Sequence, residues 1–341
     1  MTTDVTEEIA FDQERAAPGR VCPLRYRYGA SAIARAETRH AQTLYVVGGL
    51  YGNVPALDEI ERMANAEQAM GGVAPTLCFN GDFNWFNVAD DRFAEINRRV
   101  LAHDAIVGNV EAEFDSAVDD AGCGCAYPDS VDAGVVERSN RIHAQLKATA
   151  RRHPELAATI ARLPMYARYQ VGDCRIGVVH GDADSLAGWR FDVEALDDVA
   201  ASGWLRSVFA QADVNVFAST HTCLPAMRTF ALALAAKKTA VVPHAGEGWV
   251  VNNGAAGMPN FSGGYGGLCT RIGVLPSPHP AVHEGRIGNA YVALLPVRFH
   301  ETGWHAEFLA QWPAGSAAWT SYWKRIRQGP GFSVQQALPR R

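Results

Sequence analysis

Short apolar runs in this chain repeatedly end in a glycine or a donor side chain, and that repetition most constrains the fold. Thr43 to Val47 (TLYVV) runs into Gly48-Gly49, Pro75 to Asn80 (PTLCFN) into Gly81-Asp82, and Ala105 to Val107 into Gly108-Asn109. Farther on, Arg175 to Val179 (RIGVV) ends at His180-Gly181-Asp182, and Val214 to Ala218 (VNVFA) at Ser219-Thr220-His221-Thr222-Cys223. Runs of this length rich in β-branched residues read as buried strands. Between them, Asn53 to Met70 carries Ala56, Leu57, Ile60 and Met63 at helical spacing, with Pro55 near the first turn. A second helix is expected at about 90–102. Strand and helix in alternation predict an α/β architecture. In open α/β sheets, ligands bind beyond the carboxyl ends of the strands. Ordinary turn chemistry also uses Gly and Asn in such loops, so one loop says little and several in series say more.

The stretch 112–166 interrupts the alternation. It holds GCGCAYPDS (122–130), a polar helical segment from about 134 to 152 and His153-Pro154, and reads as a helical cap insertion. Later strands are expected at Thr239 to Val242, Trp249 to Val251 and Ala290 to Leu295, with a Gly-rich loop at 262–267. The resulting division is a polar arm over 1–40, a main domain over 41–300 and a C-terminal extension over 301–341 that reads as irregular after about 312.

Composition narrows the function classes. With 341 residues, 48% of them hydrophobic and 20% charged, the chain can bury a sizeable core. Lys and Arg number 31 against 36 Asp and Glu, a balance of −5 that speaks against long nucleic acids as partners. The cysteines are odd in number (7) and scattered, which argues for a reduced compartment rather than a disulfide scaffold. The acidic opening MTTDVTEEIAFDQER lacks the order of a signal peptide. The apolar stretch Phe230 to Val242 is broken by Lys237 and Lys238 and is too short to span a bilayer. A cytoplasmic location and no membrane partner are the expectation. Nothing in the sequence fixes an oligomeric state.

The strand ends supply Asp82, Asn109, His180 and His221. A carboxylate, an amide oxygen and two imidazoles suit a divalent transition metal. In this order and spacing, from about Leu44 to Leu295, the chain resembles the calcineurin-like metallophosphoesterase superfamily. The blocks that carry the resemblance begin with Gly49-Leu50-Tyr51-Gly52-Asn53, Gly81-Asp82 and Gly108-Asn109-Val110-Glu111. They continue with His180-Gly181-Asp182, Thr220-His221-Thr222-Cys223-Leu224-Pro225 and Asn252-Asn253-Gly254-Ala255. The resemblance implies a β-sandwich flanked by helices and hydrolysis of phosphate mono- or diesters by metal-activated water. It assigns Asp82 as the bridging ligand, with Asn109, His180 and His221 completing one metal position.

The other metal position falls on Gly49, Tyr51 and Cys223, where the family has Asp, His and His. Glycine offers no side-chain donor, a neutral phenol is a poor ligand, and Cys223 could ligate only as a thiolate. The family's catalytic histidine falls on Val110, and losing such a group typically costs about 10²- to 10⁴-fold. Three readings follow. The first is a phosphoesterase with one Mn, Fe, Zn or Ni ion, a second site being doubtful, in which Tyr51 or a cap residue such as His143 replaces the missing acid. The second is a catalytically degenerate member that binds a ligand or partner. The third is a thiol-bearing site, with Cys123 or Cys125 of the cap approaching the vacated position beside Cys223.

The expected substrate is a phosphorylated small molecule or nucleotide. Asn53, Trp85, Arg138 and Arg141 are candidates to bind it, Trp85 as an aromatic wall and the arginines as phosphate donors. Packing and solvated helix faces are the ordinary roles of such residues. Asp182, Glu111 and His244 are candidates to orient the metal ligands.

Overall fold

Alternation along the strands decides the layering. The structure is a computed structural model that describes residues 18–71, 73–116, 120–232, 246–264 and 266–339. Twelve strands are present among them: β1 (Thr38–Ala41), β2 (Thr43–Val47), β3 (Thr76–Asn80), β4 (Asp104–Ile106), β5 (Tyr166–Val171) and β6 (Cys174–Val179) come first. They are followed by β7 (Val216–Ser219), β8 (Pro225–Ala231), β9 (Glu247–Asn253), β10 (Gly267–Gly273), β11 (His283–Ile287) and β12 (Ala290–Val297). One sheet has the order β1-β5-β6-β7-β9-β8, the other β11-β12-β10-β2-β3-β4.

Leu44 and Val46 of β2 point between the sheets and pack with Ile176, Val178, Val216 and Val251 of the facing sheet. Their neighbours Tyr45 and Val47 point the other way, onto Leu57 and Ile60 of the helix Val54–Gly71. Strands buried on both faces read as nearly continuous apolar runs, because successive side chains alternate between two covered surfaces. On the far side, the helix Ser202–Ala212 lays Leu205, Val208 and Phe209 against Phe217 and Val250. The fold is therefore a β-sandwich with helices on both outer faces, as expected.

The strands that carry the donors run parallel: β2 with β3, β3 with β4, β6 with β7, and β7 with β9. Their carboxyl ends open at one edge of the sandwich. The cap helices Ala133–Arg152 and Pro154–Ile160 and the C-terminal helices Glu301–Gln311 and Ala317–Gln328 share an apolar cluster there. Ile142, Leu146, Phe308, Trp312 and Ile326 meet Phe86 in that cluster.

Several elements differ from the sequence expectation. The polar residues before 41 include the helix Ala30–Arg35 and the edge strand β1, whose side chains are only half covered. The segment after 312 is not irregular; Ala317–Gln328 is a helix capped by Ser316, whose side chain accepts from the Trp319 amide. Strand β10 is buried along its whole length although it contains Arg271, because Arg271 donates to Glu67 (Nε to Oε2, 3.0 Å). An ion pair thus hides a central strand behind a charged letter. The strand expected at Thr239 to Val242 lies outside the described residues.

Candidate metal centre

Tight turns bring the donors to one point. Gly81 and Asp82 both have positive φ (94° and 55°). A β-carbon at Gly81 would lie 2.5 Å from His180 Nδ1, and one at Gly108 would lie 2.5 Å from Asp82 Oδ1. Only glycine lets the two loops close on each other. Glu111 pins the turn, accepting from the Asp82 amide at 2.9 Å and the Asn84 amide at 3.1 Å. Among described non-glycine residues, Tyr51, Asp82, Ala126, Asp213, His221 and Cys223 have positive φ. Four of these are residues singled out for the site, a clustering of strained backbone typical of functional positions.

The hydrogen bonds fix the tautomers. His180 Nδ1 lies 2.8 Å from the Asn80 carbonyl, which can only accept, so Nδ1 carries the proton and Nε2 a lone pair. His221 Nε2 lies 3.2 Å from the Cys125 carbonyl, so its Nδ1 is the bare nitrogen. Asn109 Nδ2 donates to the Cys123 carbonyl at 3.0 Å, which turns its oxygen inward. His180 Nε2 then sits 2.9 Å from Asn109 Oδ1, 3.3 Å from Asp82 Oδ1 and 3.3 Å from His221 Nδ1. Four lone-pair atoms converge, and such a cluster needs a cation or a proton among them. Ligands held about 2.1 Å from one metal at tetrahedral or octahedral angles lie roughly 3.0–3.4 Å apart, which these separations match. The atoms of Asp82, His180 and His221 all lie within 4.8 Å of one another. The donor set fits one divalent cation.

Electrostatics agree with the geometry. Burial lowers His180 to about 4 and holds His221 well below its usual value, so both imidazoles are neutral. Burial raises Asp82 to about 7. Burial, and then the neighbouring Asp82, raise Glu111 to about 7. A buried carboxylate without a cation is costly to ionise.

The second metal position is built differently. The Tyr51 ring lies over Gly49: a β-carbon there would be 2.9 Å from its Cζ. The Tyr51 hydroxyl and the Cys223 thiol are 3.0 Å apart and hydrogen-bonded. Burial pushes the pKa of both groups up, so both stay protonated. A packed phenol–thiol pair therefore stands where the resemblance would put ligands of the other metal.

The other candidates separate cleanly. Trp85 lines a cavity of about 40 Å³ in front of the donors, together with Tyr51, Asp82, Asn109 and His221. Asn53 is spent on structure, donating to the Gly257 carbonyl and capping the helix through the Ala56 amide. Arg138 donates to Ser321 Oγ at 2.7 Å, and Arg141 pairs with Glu137 one helical turn away. Neither arginine lines the cavity. Cys125 does line it, and its thiol accepts from Asn109 at 3.5 Å. His143 is buried with Nε2 2.9 Å from the Val110 carbonyl, behind the position it was expected to replace. Asp182 binds the amides of Asp184, Ser185 and Arg190, while His180 is oriented by a carbonyl instead. His244 lies outside the described residues. Sequence reasoning missed Trp189, Tyr127 and Tyr322 as lining residues. For Tyr322 the signal was present: Ala318, Tyr322 and Ile326 repeat every fourth residue along one helix face.

No helix among the described residues is long and apolar enough to cross a membrane. No family model and no curated protein matches the chain. Solved structures do. A metallophosphoesterase from Sphaerobacter thermophilus aligns at 16% identity with a TM-score of 0.50, covering 85% of this chain and 100% of its own. A hypothetical protein from Pyrococcus horikoshii OT3 aligns at 14% identity with a TM-score of 0.52, covering 86% and 99%. Sandwich topology, strand-end donors and these two neighbours agree: the chain has the calcineurin-like metallophosphoesterase fold.

Proposed function

We propose that this protein is a single-cation phosphoesterase, in which Asp82, Asn109, His180 and His221 hold one divalent transition metal. The observation that carries the reading is the convergence of four lone-pair atoms around His180 Nε2, with tautomers fixed by the Asn80 and Cys125 carbonyls. A mixed nitrogen and oxygen set suits Mn, Fe, Zn or Ni. Such an ion, when bound, polarises a phosphoryl oxygen and lowers the pKa of water.

The protein's own residues do the rest. Glu111 holds the Asp82 turn through the Asp82 backbone amide, and the Val110 amide donates to the Asp82 carboxylate at 3.4 Å. Carbonyls rather than carboxylates orient both imidazoles, which keeps the charge of the centre low. Tyr51 stays protonated and faces the cavity, where its hydroxyl can donate to an ester oxygen of a bound substrate. Val110 adds no acid, so turnover is expected to be fastest for esters with good leaving groups. A phosphorylated small molecule or nucleotide would place only its phosphoryl end in the narrow cavity.

The fold neighbour named as a metallophosphoesterase supports the reaction class over a purely ligand-binding role. The test is metal content together with hydrolysis of 4-nitrophenyl esters of phosphate. About one metal per chain, and turnover lost in Asp82→Ala and His180→Ala, is the expected result. A protein that holds metal but turns over no activated ester with Mn²⁺, Fe²⁺, Zn²⁺ or Ni²⁺ would refute the proposal.

A further inference from the structure

We propose that Arg325 of the C-terminal helix Ala317–Gln328 is a positioning residue of the metal centre, holding the strained His221–Thr222–Cys223 turn so that His221 presents Nδ1 to the cation. The inference rests on the single-cation reading above and adds to that site a residue that touches neither the cation nor the substrate.

His221 stands beyond the end of β7, on a turn where its own φ is 22° and that of Cys223 is 62°. Non-glycine residues avoid this half of backbone space, so two of them within three residues persist only where the surroundings hold them. Three contacts do so from the loops around the cavity. Asn252 Nδ2 donates to Thr222 Oγ1 at 2.8 Å, the Cys223 thiol donates to the His221 carbonyl at 3.3 Å, and the Cys125 carbonyl takes the Nε2 proton of His221. A fourth arrives from 102 residues away: Arg325 Nη2 donates to the Cys223 carbonyl at 2.5 Å. The Nε of the same guanidinium donates to the Pro259 carbonyl at 3.4 Å, in the loop after β9.

The chemistry of the side chain explains why an arginine stands here. A guanidinium carries five donors in a rigid planar fork, so one side chain can tie carbonyls on two loops, whereas an ammonium is a point charge on a flexible stem. Arg325 is half-buried, and both of its hydrogen bonds among the described residues go to carbonyls, so its donors serve backbone rather than a charge partner. The helix that carries it is itself fixed against the site: Tyr322, three residues earlier, lines the cavity, and Ile326 is buried in the apolar cluster beside it. Without the guanidinium, the Cys223 carbonyl is released and the turn can relax toward ordinary backbone angles. Metal–ligand distances are held within about 0.2 Å, so even a small shift of His221 Nδ1 weakens its bond. The other three donors stand on separate elements, after β3, β4 and β6, and would keep their places. Partners that orient a metal-bound imidazole typically cost about 10- to 100-fold in metal affinity when removed.

The test titrates Co²⁺, which suits the same nitrogen and oxygen donors as Fe or Zn, into the full metal-free chain. Its visible absorption reports the number and geometry of its ligands. Arg325→Met keeps the stem and removes the donors. Its Co²⁺ affinity is expected to fall about 10- to 100-fold, with bands shifted toward those of His221→Ala. Arg325→Lys, which keeps a charge but not the fork, is expected to recover part of the loss. Because Arg325 acts through His221, adding Arg325→Met to His221→Ala should cost little more, whereas adding it to Asn109→Ala should multiply the two losses. A folded Arg325→Met with the natural affinity and bands, whatever its Tm, gives the residue a purely structural part; it overturns the inference and leaves the single-cation site standing. So do losses that multiply in the His221→Ala background. Should Arg325→Met fail to fold, Arg325→Lys takes its place, with a smaller loss and the same band shift expected, and unchanged affinity and bands overturning the inference. A natural chain that takes up no Co²⁺ removes the site reading and this inference together.

Discussion

Replacing Asp82 by asparagine is expected to move stability and metal affinity in opposite directions. Asp82 is buried, and burial raises it from 3.8 to about 7. The sign follows from linkage: an acid whose pKa is higher when folded contributes stability below its unfolded value, and loses it as pH rises through the folded value. The metal-free protein should therefore lose stability between about pH 4 and pH 7 and stay at the lower level above that. A shift of about three units corresponds to roughly 4 kcal/mol at pH 8. The asparagine amide would keep the shape and an oxygen for the Val110 amide, now 3.4 Å from Oδ1 of Asp82, but would carry no charge. Metal-free Asp82→Asn should thus be more stable than the natural chain at pH 8 by about 2–4 kcal/mol. For 341 residues this corresponds to roughly 3–6 °C in Tm. At pH 5 the gap should shrink to roughly a third of that, about 1–2 kcal/mol, and it should close only below about pH 4. Metal should raise the Tm of the natural chain, by about 2.7 kcal/mol at a hundredfold excess over Kd, and leave the variant unmoved. The assay is thermal or urea unfolding with and without chelator at both pH values. A variant that is less stable than the natural chain at both, yet gains as much from metal, would refute the reasoning.

Other outcomes follow from the same geometry. Metal affinity should climb as pH passes through about 7, since Asp82 must ionise while His180, at about 4, is already neutral; calorimetric titration across pH 6–8 checks this. Gly81→Ala, which puts a β-carbon 2.5 Å from His180 Nδ1 at a φ of 94°, should abolish metal retention and lower Tm, both read on purified protein. The combination Gly49→Asp, Tyr51→His and Cys223→His should raise metal content from about one to two per chain, whereas Gly49→Asp alone should not, because the Tyr51 ring occupies that space. Glu67→Gln should cost about 3–5 kcal/mol by leaving Arg271 charged and buried. Burial works to raise Glu67, but Arg271 and Tyr45 hold it below the usual carboxylate range. The stability from this pair is thus present at neutral pH and lost as acid is added, which urea midpoints at pH 7 and pH 3 measure.

The donors were legible in the sequence because each follows an apolar run that folds as a strand, and parallel strands deliver their carboxyl ends to one edge. Gly81-Asp82 and Gly108-Asn109 could be read as tight turns carrying ligands for the same reason. The departures at Gly49, Tyr51 and Val110 were readable only against the pattern of the resembled family, where they replace donor groups. Strand β10 was not legible, because Arg271 looks polar until Glu67 is placed opposite it from a helix far away in the chain. Nor was the fate of Arg138, whose partner Ser321 lies in a segment that reads as irregular.

What the sequence determined is the inventory: four donors in order on the strand ends of an α/β pattern and, through the family resemblance, four replaced positions and a sandwich to carry them. Local patterns suffice for the donors and their strands, because periodicity and turn chemistry act over a few residues. The tertiary structure decided what the replaced positions became. Tyr51 and Cys223 are 172 residues apart, yet their hydroxyl and thiol meet where the resemblance would put ligands of a second metal. It also decided which nitrogen of each imidazole is bare, through carbonyls from elsewhere in the chain, and it brought Tyr322 to the cavity wall. Such contacts depend on chain packing over long separations, and no local pattern encodes them.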